Sequence, residues 1–368
     1  MTKEQLKFVQ ILRGFAAVAV LLFHLDGFTL TYFNHSLANF RYGSIGIDFF
    51  FVLTGFIITY VHFKETQNQS SVKKFLLKRF VRVYPFYWLV LIVMVGLESP
   101  EFYDKPSLRS AIDPTTVDGL NNIIKNIVLY PLPDSAMLVG IAWGLSHTVV
   151  FYLLFAMSIK LGWDAAKIIF ALWLVAIVLH SFHVFPGSLL LEAVAGSVNI
   201  EILIGCVAGY LFVKNTVELK PMFYCLAMAV IILAGVIAWL GFDSRNIIFT
   251  TLVGVVFASL IYCAASVDRS KLSAKPFKRY GSPVLVLMGD AAYSIFLTHI
   301  IFIPYLCIAF NKVINFPVVP DFFKNILIII IFFLSIVAGI VTYLLVERPL
   351  LNFMRKLFRL RRQKKGWI

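Results

Sequence analysis

Residues 326–346 read ILIIIIFFLSIVAGIVTYLLV, an unbroken run with no charged side chain. At about 1.5 Å of rise per residue a helix of this length covers about 30 Å, the thickness of a bilayer's hydrocarbon core. Other apolar runs recur along the chain, as VFYLLFAMSIKLGW at 150–163, part of a longer span and carrying only Lys160 as a charge, and CLAMAVIILAGVIAWLGF at 225–242. Of the 368 residues 60% are hydrophobic and only 14% charged, and the mean hydropathy is +0.87. A water-soluble domain has no interior large enough for that much apolar surface. Segments of about ten alternating residues, the mark of a membrane β-barrel, are missing. The expected fold is an all-α polytopic membrane protein.

Ten spans are expected, near 8–30, 43–63, 80–98, 141–161, 166–184, 198–214, 221–240, 247–265, 282–310 and 325–346. The loops support that count. Lys64, Lys73, Lys74, Lys78 and Arg79 fall in one loop or at its edge, and Arg269, Lys271, Lys275, Lys278 and Arg279 in another. The alternate loops are poor in lysine and arginine, so with ten spans every basic loop lands on one side, and both termini are expected in the cytoplasm. The chain reads as one transmembrane domain, 1–350, followed by a basic cytoplasmic tail, 351–368. The segment 121–133, NNIIKNIVLYPLP, is expected to form a short amphipathic or re-entrant piece.

The formal charge of +14 resides mostly between spans and in the tail RKLFRLRRQKK, where it sets topology and meets anionic lipid; a nucleic-acid partner is not expected. All four cysteines lie in apolar runs, without a CxxC pair or a Cys/His cluster. They read as buried hydrophobes, and no metal site is expected. Arg13 interrupts the first apolar run and no clear small-residue cleavage site follows, so this run is expected to remain as a span.

The polar residues inside the spans sort into two layers. Arg13 and His24 are eleven residues apart, about 20° more than three full turns, so they share a helix face at an axial distance of about 16 Å. With the first span entering from the cytoplasm, Arg13 belongs to the inner half and His24 to the outer half. Asp48 and the pair His147 and Thr148 fall about 8–10 Å below the outer edge, and His299 also lies in the outer half. Arg79, Arg82, Glu347 and Arg348 sit at the level of Arg13. For Arg79, Arg82 and Arg348 this position also suits ordinary cytoplasmic anchoring, and Arg13 is close enough to the interface to snorkel. His24 and Asp48 have no such outlet, and intramembrane ionisable groups normally face a bundle interior or a wet cavity. A purely structural His–Asp pair is the simpler alternative for these two.

Six segments, in order, resemble the acyltransferase 3 family of multi-span membrane acyltransferases. LRGFAAVAVLLFHL resembles its opening R-x10-H pattern, and GSIGIDFFFVLTGFII its G-x-D-x-F-F segment. LKRFVRVYPFYW carries an R-x-x-R followed by P-x-Y-W. WGLSHTVVFYLLF resembles a W-x-L-S…F-Y segment, MGDAAYSIFLTH a G-D-x-x-Y-S-x-x-L-x-H segment, and LVERPL a terminal E-R-P. The resemblance implies about ten spanning helices in a bacterial inner membrane. It also implies transfer of an acyl group, commonly acetyl, from acyl-coenzyme A to a hydroxyl, often of a surface glycan or glycolipid. The coenzyme is a donor substrate, and no permanently bound cofactor is implied. By position His24 becomes the catalytic histidine, and Arg13, Arg79 and Arg82 the donor-binding set. Tyr152, His147, His299 and Arg348 are further candidates from the matching segments. Thr148 stands where many members carry a glutamate, so either Asp48 or His147 is expected to take over that group's task or activity is expected to be reduced.

Such a reaction needs a hydroxyl deprotonated as it attacks a thioester, work that suits a neutral histidine. His24 is the expected general base, or an acyl-carrying nucleophile, and Asp48 the expected carboxylate beside it. Arginine forks match phosphate oxygens. A through-membrane arrangement follows, with the coenzyme's phosphates at the inner arginines and its thioester near His24. Two other readings share these residues: an acyltransferase acting on a lipid or small molecule, and a transporter using His24 and Asp48 as a proton relay.

Overall fold

The computed structural model describes residues 6–37, 40–67, 72–96, 111–133, 135–185, 187–215, 246–269, 283–314 and 319–360, together with 226, 228 and 230. The long helices are α1 (Lys7–Phe33), α2 (Ile45–Gln67) and α3 (Val72–Gly96), then, after the short α4 (Val117–Val128), α5 (Trp143–Leu161) and α6 (Trp163–Ser181). The short α7 (Leu189–Ala195) leads into α8 (Asn199–Lys214), and α9 (Ile247–Arg269) follows. The chain continues as α10 (Pro283–Asp290), α11 (Ala292–Val313) and α12 (Asp321–Thr342), and ends its described part with α13 (Arg348–Leu357). Nine helical segments among the described residues are long and apolar enough to cross a membrane. They match nine of the ten expected spans; the tenth, 221–240, lies almost wholly outside the described residues, as does 361–368 of the basic tail. No strand occurs among the described residues.

Helix contact in a bilayer gains little from apolar burial and depends on close backbone approach. One such approach is between α2 and α8. A side chain on Gly55 would lie 2.0 Å from the Ile202 carbonyl oxygen, and one on Gly205 2.0 Å from that of Val52. Gly209 meets Phe56 in the same way. The crossing is therefore parallel, as the second and sixth spans of an alternating bundle must be, with Val52 against Gly205 and Phe56 against Gly209. One turn earlier along both helices Asp48 comes level with Glu201.

The stretch expected as one span at 282–310 is two helices, broken at Ala291. The break lets α10 press on α1, where a side chain on Gly289 would meet the Gln10 carbonyl oxygen at 1.9 Å. At its far end α12 passes through a widened π turn, Tyr343–Glu347, into α13. Such turns insert extra backbone and re-aim a side chain, and here Glu347 becomes fully buried while Arg348 stays exposed.

The amphipathic piece expected at 121–133 is α4, capped at its start by Thr116, whose hydroxyl accepts from the Gly119 amide at 3.0 Å. Its final carbonyls, which no helix can satisfy internally, are taken by α3. Tyr87 donates to Asn126, Trp88 to Ile127 and Tyr84 to Val128, at 2.8, 2.8 and 3.1 Å. The aromatic part of the YPFYW stretch thus works as a clamp. Asn126 extends it by donating to the Ala136 carbonyl and accepting from the Leu138 amide, both at 2.9 Å, which fixes the segment after α4.

Candidate active site

Arg13, Arg79 and Arg82 of the inner layer and His24, Asp48 and His147 of the outer layer line two separate cavities, while Thr148, expected in the outer layer, lies with the arginines. One, of about 140 Å³, is lined by Arg13, Arg79 and Arg82 together with Thr148, Tyr152, Tyr293 and apolar residues of α2. The other, of about 640 Å³, is lined by His24, Asp48, His147, Glu192 and three serines among aromatic and aliphatic residues. Ile47 is the residue common to both linings, and its Cδ1 lies 2.9 Å from where a side chain on Gly144 would begin.

In the arginine cavity the three guanidinium groups differ in what already holds them. Arg82 meets Glu347 at 2.5 Å, and the second oxygen of that carboxylate accepts from the Ser294 hydroxyl at 2.5 Å. The Arg82 guanidinium also lies 5.1 Å from the centre of the Tyr293 ring. Arg79 donates to Nε2 of His62 at 3.0 Å, and Nδ1 of His62 in turn donates to Glu65 at 2.7 Å. Phe75 and Tyr152 present ring faces to Arg79 at 5.7 and 5.9 Å. Arg13, buried, bonds to the neutral Gln10 amide oxygen at 3.1 Å. Arg82 is thus paired directly with a carboxylate, while Arg13 and Arg79 keep their positive charge turned to the cavity.

Around His24 the hydrogen bonds decide which ring nitrogen is free. Nδ1 donates to the Val20 carbonyl at 2.9 Å, and since a carbonyl only accepts, the proton sits on Nδ1 and Nε2 carries the lone pair. The expected partner for this tautomer was Asp48; a carbonyl of the same helix performs that task, and Asp48 faces the shared cavity instead. His299 repeats the pattern, with Nδ1 donating to the Ile295 carbonyl at 3.1 Å. Its ring centre is 4.8 Å from that of His24, and its buried Nε2 has no hydrogen-bond partner. His147 donates from Nδ1 to Asn199 at 3.1 Å, while the Asn199 amide nitrogen donates to the Ala193 carbonyl at 3.2 Å.

Thr148 spends its hydroxyl proton on the Gly144 carbonyl of its own helix, at 3.0 Å, and lines the arginine cavity. Arg348 is exposed and belongs to neither lining. His62, Glu65 and Glu201 did not stand out in the sequence reading. Glu201 had left a signal, a lone carboxylate in the apolar run NIEILIG. His62 and Glu65 lie close to the basic loop that follows them, where a His/Glu pair three residues apart looks like ordinary surface polarity.

The chain belongs to the acyltransferase 3 family, whose model, described as an acyltransferase domain, matches residues 6–345. It is a multi-pass membrane acyltransferase. Among curated proteins it is 24% identical, over 78% of this chain and 48% of the relative, to the peptidoglycan O-acetyltransferase OatA of Listeria monocytogenes. It is 24% identical to the exopolysaccharide production protein ExoZ of Rhizobium meliloti, over 85% of this chain and 91% of the relative. A third relative is the acyltransferase MdmB of Streptomyces mycarofaciens, 26% identical over 80% of this chain and 78% of that protein. The chain spans about half the length of OatA but most of ExoZ. No solved structure matches it.

Proposed function

We propose that this protein moves an acyl group, acetyl in the simplest case, from acyl-coenzyme A to a hydroxyl of a cell-envelope glycan, with Nε2 of His24 as general base. The observation that carries this reading is the pairing of the two cavities across Ile47. One offers two arginines, Arg13 and Arg79, that make no direct ion pair with a carboxylate among the described residues, and the other offers an imidazole with a free lone pair.

The phosphates of the donor bind Arg13 and Arg79, whose planar forks suit phosphate oxygens, from the cytoplasmic side. Arg82 is held by Glu347 and shapes the cavity wall. The pantetheine arm passes Ile47 and presents the thioester to the histidine cavity. There the acceptor hydroxyl gives its proton to Nε2 of His24 while its oxygen attacks the thioester carbonyl. The carbon–sulfur bond then breaks, and the departing thiolate takes the same proton back from His24. No proton is gained or lost overall. His299 lies against the His24 ring and steadies it in its neutral and protonated forms. Asp48 and His147 shape the acceptor side. A glycan acceptor is supported by the names of the relatives, a peptidoglycan O-acetyltransferase and an exopolysaccharide production protein.

The test is purified protein with radiolabelled acetyl-coenzyme A and a panel of glycan acceptors, comparing wild type with His24→Ala. Label is expected in a glycan with the wild type and only at background with the variant. Unchanged transfer by His24→Ala would overturn the mechanism.

A further inference from the structure

Behind the arginine cavity stands a buried histidine to which the proposed reaction gives no task. His62 lies on α2 one turn beyond Ile58, which lines that cavity, yet His62 itself is not part of the lining. It is fully buried and makes a T-shaped contact with Phe75, ring centres 5.0 Å apart, with Phe155 next to it at 6.4 Å. Nε2 accepts from Nη2 of Arg79 at 3.0 Å, and Nδ1 donates to Oε2 of Glu65 at 2.7 Å. A guanidinium can only donate, so the lone pair of His62 sits on Nε2 and its proton on Nδ1. Glu65, three residues along on the same helix face, is 31% exposed and fixes this tautomer from the end of α2. A single series of hydrogen bonds thus runs outward from the cavity, through Arg79 and His62 to Glu65.

We propose that His62 is a positioning residue for donor binding: it holds the Arg79 guanidinium in place for a phosphate without neutralising it. The inference rests on reading the arginine cavity as the donor side. A buried guanidinium needs acceptors for its N–H groups. A carboxylate in this place would be the stronger acceptor, but it would form an ion pair and cancel the charge that attracts phosphate, as Glu347 does for Arg82. A neutral imidazole accepts the same hydrogen bond and leaves the charge intact. Glu65 raises the basicity of that imidazole through its far nitrogen, as a carboxylate behind a metal-binding histidine does. Phe75 braces both groups, touching His62 and lying 5.7 Å from the Arg79 guanidinium, with the Tyr152 ring at 5.9 Å. Nε of Arg79 has no hydrogen-bond partner. Without His62 the guanidinium is therefore poorly held, and ordering it when the donor arrives lowers affinity.

The test measures Kd for acetyl-coenzyme A by calorimetry on the purified full-length protein, with thermal unfolding of each variant beside it. His62→Gln keeps a neutral acceptor, His62→Leu removes it, and His62→Glu replaces it with a charged one. His62→Gln is expected to bind within about threefold of wild type, and the other two to bind roughly tenfold or more weakly. The salt dependence of Kd separates those two. It is expected to fall in His62→Glu, where Arg79 is neutralised, and to persist in His62→Leu, where Arg79 is loosened but still charged. A histidine with a merely structural task would make affinity follow thermal stability and leave the salt dependence unmoved. Binding by His62→Leu as tight as wild type, or equal Kd in His62→Gln and His62→Glu, would overturn the proposal. Where His62→Leu does not fold, the second comparison decides. Arg79→Met tells the two readings apart. If it binds the donor as wild type does, the donor reading of this arginine falls and the role of His62 with it. If it loses the donor while His62→Leu keeps it, the role of His62 alone falls.

Discussion

His24 and His299 lie with ring centres 4.8 Å apart, each with Nδ1 committed to the carbonyl four residues earlier in its own helix. Both lone pairs are therefore on Nε2, and the buried Nε2 of His299 is the one left without a partner. In the proposed reaction His24 becomes an imidazolium between two steps, and His299 is the neighbour placed to accept from it. Replacing His299 with asparagine is expected to lower kcat roughly 10–100-fold with little change in KM for the donor, within the usual reach of assisted proton transfer. His299→Leu is expected to lose more, and His24→Ala nearly all. Steady-state kinetics on the three variants checks the order; a His299→Asn effect confined to KM would refute the role.

The three arginines are expected to separate by what holds them. Removing Glu347 leaves the largely buried Arg82 guanidinium as an unpaired charge, at a cost of about 3–5 kcal/mol. Glu347→Ala should unfold on heating well below the wild type, and Arg82→Met combined with Glu347→Met should recover much of that loss. Arg13→Ala, whose partner is a neutral amide, should leave thermal stability nearly unchanged and raise KM for acetyl-coenzyme A roughly tenfold or more. Thermal unfolding in detergent, followed by size exclusion, and donor titrations measure the two effects separately.

At the α2–α8 crossing there is no room for even one methyl group. Gly205→Ala places a carbon 2.0 Å from the Val52 carbonyl oxygen, so the helices must part. A loss of several kcal/mol in stability is expected, since both sides of the clash are backbone and overpacking of this kind is costly. Gly27, which has nothing within 4 Å of an added side chain, provides the control: Gly27→Ala is expected to be neutral or mildly stabilising by the same measurement.

Hydrogen exchange should report the clamp on α4. Tyr87→Phe removes one of the three side-chain donors to its final carbonyls, worth about 1 kcal/mol. Amides in Val117–Val128 are expected to exchange several-fold faster, with α5 and α8 unaffected. Equal exchange in variant and wild type would mean that α4 is held by its own packing.

What could be read from the sequence was what depends on one helix at a time. Arg13 and His24 sit on one face because of their spacing alone, and the depth of each polar group followed from counting residues from a span's end. Those depths separated Arg13, Arg79 and Arg82 from His24, Asp48 and His147 as the two cavities do, but put Thr148 on the wrong side, and they gave His299 and Arg348 a place in a layer although neither lines a cavity. The partners of each group were harder to read, because they depend on how helices cross. Asp48 meets Glu201 because Gly55, Gly205 and Gly209 set the register between α2 and α8. Glu347 turns inward because a π turn adds backbone at that point, and no local pattern in LVERPL announces it. The break at Ala291 follows Gly289 and Asp290, a local signal outweighed by the apolar stretches on either side.

Ile47 has a consequence of another kind. Its side chain lies in the space that Gly144 leaves empty, and it stands where the two linings meet. In the proposed reaction every acyl chain must squeeze past that one branched methyl, so acyl length is gauged at a doorway and not by a pocket that encloses the chain. A protein built this way can change which acyl group it delivers by trimming a single side chain, while its chemistry and its grip on both substrates stay as they were.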